Sequence, residues 1–401
     1  MLDTIIISTA VTPIEANYFI HNQNPQNHIN FTFTSTGAYT KDFKNFGIPL
    51  VNIWFNTKKM IEEPLNERNC LINATIDATM LDYDPDRKHY TGSPIFKIEK
   101  ILDKLTSSCP FTSAKVFNFN RKEDLEWKIK DAYFTYNFVG KQKKTYYDLL
   151  NGGYDLAKRK LERITHRPKK ANEHTTVYLT EYAGKHKEDS ERYQESVHIK
   201  IELNEHEYTE AELKEMKPER KAKIESETDT LLYFPYKKKD NRLHIQIQAK
   251  RNKINKLCAD KGNPDRDVKV FLQQAKEIDA ELFKDYIQDI TGEGNFYKYK
   301  DAEKIILASA HTRTDKNKMC DVLRGIAHYK GITNYLNHVE DATLIFDCMA
   351  SVRKKPYAQK VMRNLQKLQI CPLNLSARSK IESPLDNLYT IYEKWYYTQK
   401  Q

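Results

Sequence analysis

The sequence predicts an α+β fold, with an antiparallel sheet in residues 1–262 and a mainly helical, basic domain in residues 263–401. Before residue 262, runs rich in Ile, Val, Thr, Phe and Tyr alternate apolar and polar residues, which is the period of a half-buried strand. After it, apolar residues recur every three or four positions, as on one face of a helix. The loop signal KGNPDRD (261–267) separates the two patterns and marks the predicted domain boundary.

Strands follow one another through the first part of the chain, each predicted from a run of β-branched and aromatic residues. The runs are TIIIS (4–8), NHINFTFTS (27–35), LVNIWFN (50–56), CLINATIDATML (70–81), AKVFNFN (114–120), KIKDAYFTYNF (128–138), TTVYLTE (175–181) and SVHIKIELN (196–204). TLLYFPY (230–236) and NRLHIQIQAK (241–250) are predicted to pair as a hairpin across KKKDN.

Alternation along two of these strands assigns side chains to faces of the predicted sheet. In residues 128–138, one face carries Ile129, Asp131, Tyr133 and Thr135, and the other carries Lys130, Ala132, Phe134 and Tyr136. In residues 241–250, one face carries His244, Gln246, Gln248 and Lys250. A carboxylate in mid-strand is unfavourable unless it is solvated, paired or metal-bound. We therefore expect Asp131 to face one pocket with His244 and Gln246. The alternatives are a strand with that face in water, or an ion pair with a neighbour such as Lys250.

Helices are predicted where apolar residues repeat at helical spacing. One such segment, residues 143–163, contains Gly152 and Gly153, which weaken the helix near its middle. The other predicted helices span residues 95–108, 267–290, 299–310, 315–330 and 353–369.

Composition and the start of the chain restrict the class of protein. Hydrophobic residues make up 39% and charged residues 30%, which excludes collagen-like, mucin-like and fully disordered chains. No stretch approaches 18 apolar residues, so we expect no membrane partner. The start MLDTIIISTAVTPIE lacks a basic leader, and the six scattered cysteines form no CxxC pair. These features predict a cytoplasmic protein with reduced thiols.

Positive charge is concentrated in three segments, although the whole chain carries a net charge of +10. Residues 141–170, 237–256 and 351–367 carry net charges of +7, +7 and +6, so the rest of the chain is acidic. Local basicity of this kind favours a polyanion such as DNA as a partner, the alternative being solvated faces. The predicted DNA contacts are Lys158, Arg159, Lys160, Lys237, Lys238, Lys239, Lys250, Arg251, Arg353, Lys354, Lys355 and Arg363.

The sequence contains no P-loop, GxGxxG, GxSxG or HExxH motif, and its 12 histidines form no zinc cluster. Tyrosine is abundant, at 25 of 401 residues. A phenol can attack a phosphodiester and hold the DNA as a phosphotyrosyl ester, with a divalent cation to neutralise the developing charge. For any single tyrosine, a role in the core or in base stacking is the alternative.

Five segments resemble, in order, the rolling-circle replication initiators of the gene II type, found in filamentous phages and related plasmids. MLDTIIIS is similar to the first strand of that family, and KIKDAYFTYNF resembles its R-[IV]-D-x-x-F element. RLHIQIQAKRNKINKLCADKG resembles its L-R-[FI]-E-[VA]-x-x-K-x-x-[KR]-x-x-x-L element. GEGNFYKYKDAEKII (292–306) and VRKKPYAQKVMRNLQKLQICPLNL (352–375) resemble its C-terminal region. The matches span nearly the whole chain.

The resemblance implies an HUH/Rep-like nickase domain followed by a DNA-binding helical domain. The implied activity is that of a tyrosine endonuclease. It binds a double-stranded origin, nicks one strand with a tyrosine and Mg²⁺ or Mn²⁺, and primes replication from the free 3′-hydroxyl, with a host helicase as a further partner. By this resemblance Asp131 is a metal ligand, with His244 or Glu202 beside it, and Gln246 orients phosphate or metal-bound water. The nucleophile is Tyr178 or Tyr182.

The chain departs from the family pattern where the chemistry is expected. The family's Arg and Glu in the R-[FI]-E strand are His244 and Gln246 here, and glutamine brings no negative charge to a metal. A second alignment places the nucleophile in VHIKIELN, which has no tyrosine and in which Glu202 stands nearest. The alternative function is therefore a DNA-binding protein of the same ancestry, without nicking, that regulates an origin or transcription. An RNA-binding or structural phage protein is a third class.

Overall fold

The structure, a computed structural model, describes most of the chain. The described residues are 2–21, 30–44, 48–56, 68–78, 127–153, 162–166, 175–183, 194–204, 231–233, 242–345, 355–377 and 379–398. The predicted strand 114–120 and the predicted helix 95–108 lie outside these residues.

Eleven strands, counted within the described residues, form one sheet, and the pairs with a defined register are antiparallel. The spatial order is β2-β3-β4-β5-β1-β6-β11-β9-β8-β7, and β10 also pairs with β6. The α+β class with a large antiparallel sheet is therefore confirmed. The strands are β1 (Leu2–Val11), β2 (Thr32–Thr34), β3 (Gly37–Thr40), β4 (Leu50–Phe55), β5 (Cys70–Asp77), β6 (Lys128–Val139), β7 (Glu162–His166), β8 (Thr175–Ala183), β9 (Gln194–Asn204), β10 (Leu232–Tyr233) and β11 (Arg242–Ala249).

The described helices lie mainly after the last strand, as the change in periodicity predicts. They are α1 (Pro13–His21), α2 (Lys143–Gly152), α3 (Arg251–Asp260), α4 (Val268–Thr291), α5 (Tyr299–Ala308), α6 (Arg313–His328), α7 (Ile332–Ile345), α8 (Lys355–Lys367) and α9 (Leu388–Thr398). Among the helices that the structure describes, none is both long enough and apolar enough to cross a membrane.

The chain divides into two units, each built from three segments. The first unit contains Met1–Thr135, Ala183–Val197 and Ile247–Asp279, and the second contains Tyr136–Tyr182, His198–Gln246 and Ala280–Gln401. Each unit is described by itself below. The domain boundary at residue 262 stays a prediction.

The predicted helix at residues 143–163 is wrong at its end, and its residues 154–161 lie outside the described residues. Helix α2 ends at Gly152, and Glu162–His166 form strand β7. Gly153 has extended backbone, and a Cβ on it would overlap the carbonyl oxygen of Ile290. The two backbones approach so closely at Gly153 that only glycine fits there, and the helix ends at the residue before it.

The predicted hairpin between residues 230–236 and 241–250 is also wrong. Strand β10 pairs with the end of β6, where Leu232 lies opposite Val139 and Tyr233 lies opposite Phe138. The Tyr233 ring packs 4.6 Å from Trp395, centroid to centroid, and 5.6 Å from Phe138. Aromatic burial in the core of the second unit therefore determines where β10 pairs.

Candidate functional site

A β-bulge at the start of β6 determines which way the predicted metal ligand points. Ile7 of β1 lies opposite Ile129, but the next residue of β1, Ile6, lies opposite Asp131, so Lys130 is an extra residue. The predicted alternation, with Ile129 and Asp131 on one face, is therefore wrong. Ile129 is in the core, whereas Asp131 lies on the half-buried opposite face.

Asp131 lies beside Tyr133 and Gln248 in the first unit. Burial raises the pKa of the Tyr133 hydroxyl, the negative charge of Asp131 raises it further, and a hydrogen bond with the Gln248 side chain lowers it. Tyr133 therefore keeps its proton at neutral pH and is not a ready nucleophile. This cluster combines a carboxylate, a phenol and an amide on one partly exposed face.

A groove lies on the same face of the sheet, across β3, β4 and β5. The register partners on these three strands are Tyr39, Asn52 and Asn73. Trp54 lies two residues after Asn52 on β4 and therefore on the same face. The Lys130 Nζ donates a hydrogen bond to Asn73 Oδ1 at 3.2 Å. These side chains line a cavity of about 510 Å³.

His244 belongs to a buried polar cluster in the second unit. The residue is 9% exposed, and its Nδ1 lies 2.8 Å from Asn137 Oδ1. Because a carbonyl oxygen only accepts, the ring Nδ1 carries the hydrogen. Burial lowers the pKa of His244 to about 4, with Arg242 and Lys200 lowering it and Glu202 raising it. The imidazole is therefore neutral at pH 7, with Nε2 as the nitrogen that can accept a hydrogen bond or ligate a metal.

The other predicted metal-site residues of the second unit lie near His244. Glu202 Oε2 forms an ion pair with Lys200 Nζ at 3.0 Å, and its charge acts on His244. Gln246 is half-buried two residues along β11 and shares the face of His244. Asp131 belongs to the first unit, so a pocket that it shares with His244 and Gln246 stays a prediction.

The donor set does not fit Mg²⁺ or Mn²⁺ in the part of the chain that the structure describes. These cations prefer several oxygen ligands, with carboxylates among them. Within the described residues, no group of three or more His, Cys, Asp or Glu side chains converges on one point. Glu202 is the carboxylate that acts on His244, and it is already paired with Lys200.

Tyr178 presents its side chain on the outer part of the sheet. It lies on β8 between Val177 and Leu179, which are both buried, and is itself 37% exposed. Tyr182 lies four residues further along the same strand. Between them, Glu181 accepts a short hydrogen bond from the Tyr286 hydroxyl in the same unit.

The predicted DNA contacts that lie within the described residues occupy two places. Lys250 is the N-cap of α3, where its backbone N–H donates to Ser196 O at 2.9 Å, and Arg251 is the exposed first residue of that helix. Arg363 lies on the exposed face of α8, while Lys355 begins that helix. The remaining predicted DNA contacts lie outside the described residues: Lys158, Arg159, Lys160, Lys237, Lys238, Lys239, Arg353 and Lys354.

Helix α8 separates an apolar face from a cationic face. Val361 and Leu365 are buried, whereas Lys360, Arg363 and Lys367 are exposed at positions i, i+3 and i+7. This spacing places the three charges on one side of the helix. We call these three residues the α8 cationic face.

The comparisons with known proteins identify no relative. No protein-family model, no curated protein and no solved structure matches this chain. The geometry of the residues therefore carries the functional argument, and the family resemblance stays a proposal.

Sequence reasoning missed the groove residues Tyr39, Asn52, Trp54, Asn73 and Lys130. The sequence does carry a signal for three of these residues. Alternation in LVNIWF (50–55) places Asn52 and Trp54 on one face of their strand, and alternation in CLINATID (70–77) places Asn73 on the same face as Asp77. Nothing in the local sequence shows that these faces meet, since strand register depends on the partner strand.

Proposed function

We propose that this chain is a DNA-binding replication protein of the rolling-circle initiator kind. The observation that carries the proposal is the α8 cationic face, three exposed cations on a helix whose opposite side is buried. A rigid helix holds these charges at fixed spacing, so they can neutralise successive phosphates rather than move independently in solvent. The order of the five family-like segments supports a replication origin as the target.

Strand nicking is a separate step, and the exposure of Tyr178 favours it. In this reaction the Tyr178 phenol oxygen forms a bond to phosphorus while the bond from phosphorus to the 3′ oxygen breaks. The phenol proton leaves to water, and the 3′ oxygen takes up a proton to become the free hydroxyl that primes synthesis. The DNA remains attached through a 5′ phosphotyrosyl ester.

Origin binding without nicking is the second candidate function. It is favoured by Glu202, because the carboxylate whose charge acts on His244 is already paired with Lys200 Nζ at 3.0 Å. It is also favoured by Gln246, which brings an amide and no negative charge where the family pattern has Glu. A protein of this kind would control copy number or transcription by occupying DNA.

One experiment separates these functions. The full chain is incubated with a supercoiled plasmid that carries the DNA encoding and flanking this chain, with Mg²⁺ or Mn²⁺ in parallel samples. Open circles with protein covalently attached to the 5′ end indicate a nickase. A stable complex that leaves the plasmid supercoiled indicates an origin-binding regulator. No complex with this plasmid or with a mixed-sequence 40-base-pair duplex at low salt would refute the proposal of a DNA-binding protein.

A further inference from the structure

The groove of the first unit combines side chains from three neighbouring strands on one surface. Tyr39, Asn52 and Asn73 lie opposite one another in register across β3, β4 and β5. Directly opposed residues of antiparallel strands project to the same side of the sheet. An aromatic ring and two carboxamides therefore form one row across the face.

Trp54 stands in the next row and exposes a large aromatic surface. The residue is 43% exposed, although its neighbour Ile53 is buried in the core. Its register partner on β3 is Gly37, and a Cβ at Gly37 would overlap the carbonyl oxygen of Ile53. Because only glycine fits there, no side chain from that position of β3 can cover the indole. The close packing of two backbones thus leaves one side of Trp54 open.

The polar groups of the groove match the parts of a nucleotide. A carboxamide offers a donor and an acceptor together, which is the pattern of a nucleobase edge. The Lys130 ammonium has three N–H groups and donates one to Asn73 Oδ1 at 3.2 Å. A phosphate is the complementary partner for such an ammonium. Lys130 points into this face because the bulge in β6 inserts it there.

The shape of the groove selects an unpaired strand over a duplex. Its volume of about 510 Å³ is that of a small-molecule site, so it can hold individual nucleotides. An aromatic platform can stack on a base only when the face of that base is free, which requires a single strand. Stacking tolerates any base, and the row of amides adds contacts along the base edge.

We infer that this groove binds single-stranded DNA, with a base stacked on Trp54, its edge at Asn52 and Asn73, and a phosphate at Lys130. The inference rests on the proposed function and deepens it, because it names a second DNA form and a site distinct from the α8 cationic face. Opening of an origin produces single strands, and this groove is the surface that would hold one of them.

The test compares affinities for a 5′-labelled dT12 and for a mixed-sequence 40-base-pair duplex, both measured by fluorescence anisotropy with the full chain. Trp54→Ala should weaken dT12 binding by about 5- to 100-fold, which is the usual effect of removing one stacking platform, and leave duplex binding within about 2-fold. Tyr397→Ala, which removes an aromatic side chain that is 61% exposed on α9, is the matched control and should change neither affinity.

A second readout does not depend on how well the alanine variant folds. Stacking of thymine on Trp54 should quench the intrinsic tryptophan fluorescence of the wild-type chain, and Trp54→Phe should lose that quenching while keeping most of the affinity. Equal dT12 affinity of Trp54→Ala and Tyr397→Ala, with quenching retained in Trp54→Phe, would overturn the groove assignment and leave duplex binding intact. Tighter binding to U12 RNA than to dT12 would also overturn it. Failure to bind either dT12 or the duplex would refute the inference together with the proposed function.

Discussion

His244 Nδ1 and Asn137 Oδ1 lie 2.8 Å apart in the buried polar cluster of the second unit. The two residues are 107 positions apart in the sequence, on β11 and β6. Their hydrogen bond places the proton of the neutral imidazole on Nδ1. Asn137, which belongs to no motif in the sequence, is thus the partner of His244, the residue that stands where the family pattern has Arg.

The stability of the chain should fall in acid because of His244. Its pKa is about 4 in the folded chain and 6.5 in a model peptide, so between these values the unfolded chain binds a proton that the folded chain does not. Stability is therefore present above about pH 6.5 and lost as the pH falls towards 4. His244→Gln should reduce the difference in unfolding free energy between pH 7.5 and pH 4.5 by about 2 to 3 kcal/mol, measured by urea denaturation. His311→Gln, in the loop between α5 and α6, is the control, and an equal reduction in both variants would contradict the prediction.

Two adjacent glycines should respond differently to replacement by alanine. At Gly153 a Cβ would overlap the Ile290 carbonyl oxygen, so Gly153→Ala should destabilise the chain by about 1 to 3 kcal/mol. At Gly152, the last residue of α2, the nearest atom to such a Cβ is Lys330 O at 3.6 Å. Gly152→Ala should therefore be neutral or stabilising by up to about 1 kcal/mol. Thermal unfolding of both variants checks this, and a loss of stability in Gly152→Ala as large as in Gly153→Ala would count against it.

The α8 cationic face should set part of the salt dependence of duplex binding. Replacing Lys360, Arg363 and Lys367 by Gln should lower the slope of log Kd against log salt concentration by up to about 3, roughly one per lost phosphate contact. The matched control replaces Lys276, Lys300 and Lys304, three exposed lysines on α4 and α5, and should leave the slope unchanged. Equal slopes in the two triple variants would exclude α8 from the DNA interface.

If the chain nicks DNA, Tyr178→Phe should abolish the activity, because it removes the attacking oxygen and little else. Tyr182→Phe tests the other candidate nucleophile on β8 and should remain active. Asp131→Asn should abolish nicking and leave duplex affinity nearly unchanged if the implied metal role holds. The readout is conversion of the supercoiled plasmid to open circles, scored beside duplex binding by the same preparations. Full activity of both Tyr178→Phe and Asp131→Asn would reject this assignment of the active site.

Much of the sheet could be predicted from the sequence, because a strand with one buried face must alternate. Strands β1, β4, β5, β6, β8, β9 and β11 all overlap runs chosen by that rule. The bulge at Lys130 could not be predicted, since an extra residue is visible only against the register of β1. The pairing of β10 was mispredicted for a similar reason: Tyr233 is placed by aromatic partners on α9 that are distant in sequence.

The candidate sites were predicted less completely than the fold. His244, Gln246 and Asp131 are candidates because polar residues are conspicuous in strands, and their roles stay predictions. Asn137, the partner of His244, was missed because a single amide carries no pattern. The groove is formed by residues from Tyr39 to Lys130, and only the folded register brings them into one surface.

The division of each unit into three chain segments has a consequence for biosynthesis. The first unit is incomplete until residue 279 has been made, and the second requires the segment that begins at Ala280. Strand β6 ends at Val139, whereas its neighbour β11 begins only at Arg242. The edge of β6 that pairs with β11 therefore stays without that partner until β11 has been synthesised. Pairings between segments so distant in sequence close slowly, and unpaired edges expose a nascent chain to aggregation. Production of this protein should therefore depend more on chaperone capacity and growth temperature than its number of helices suggests.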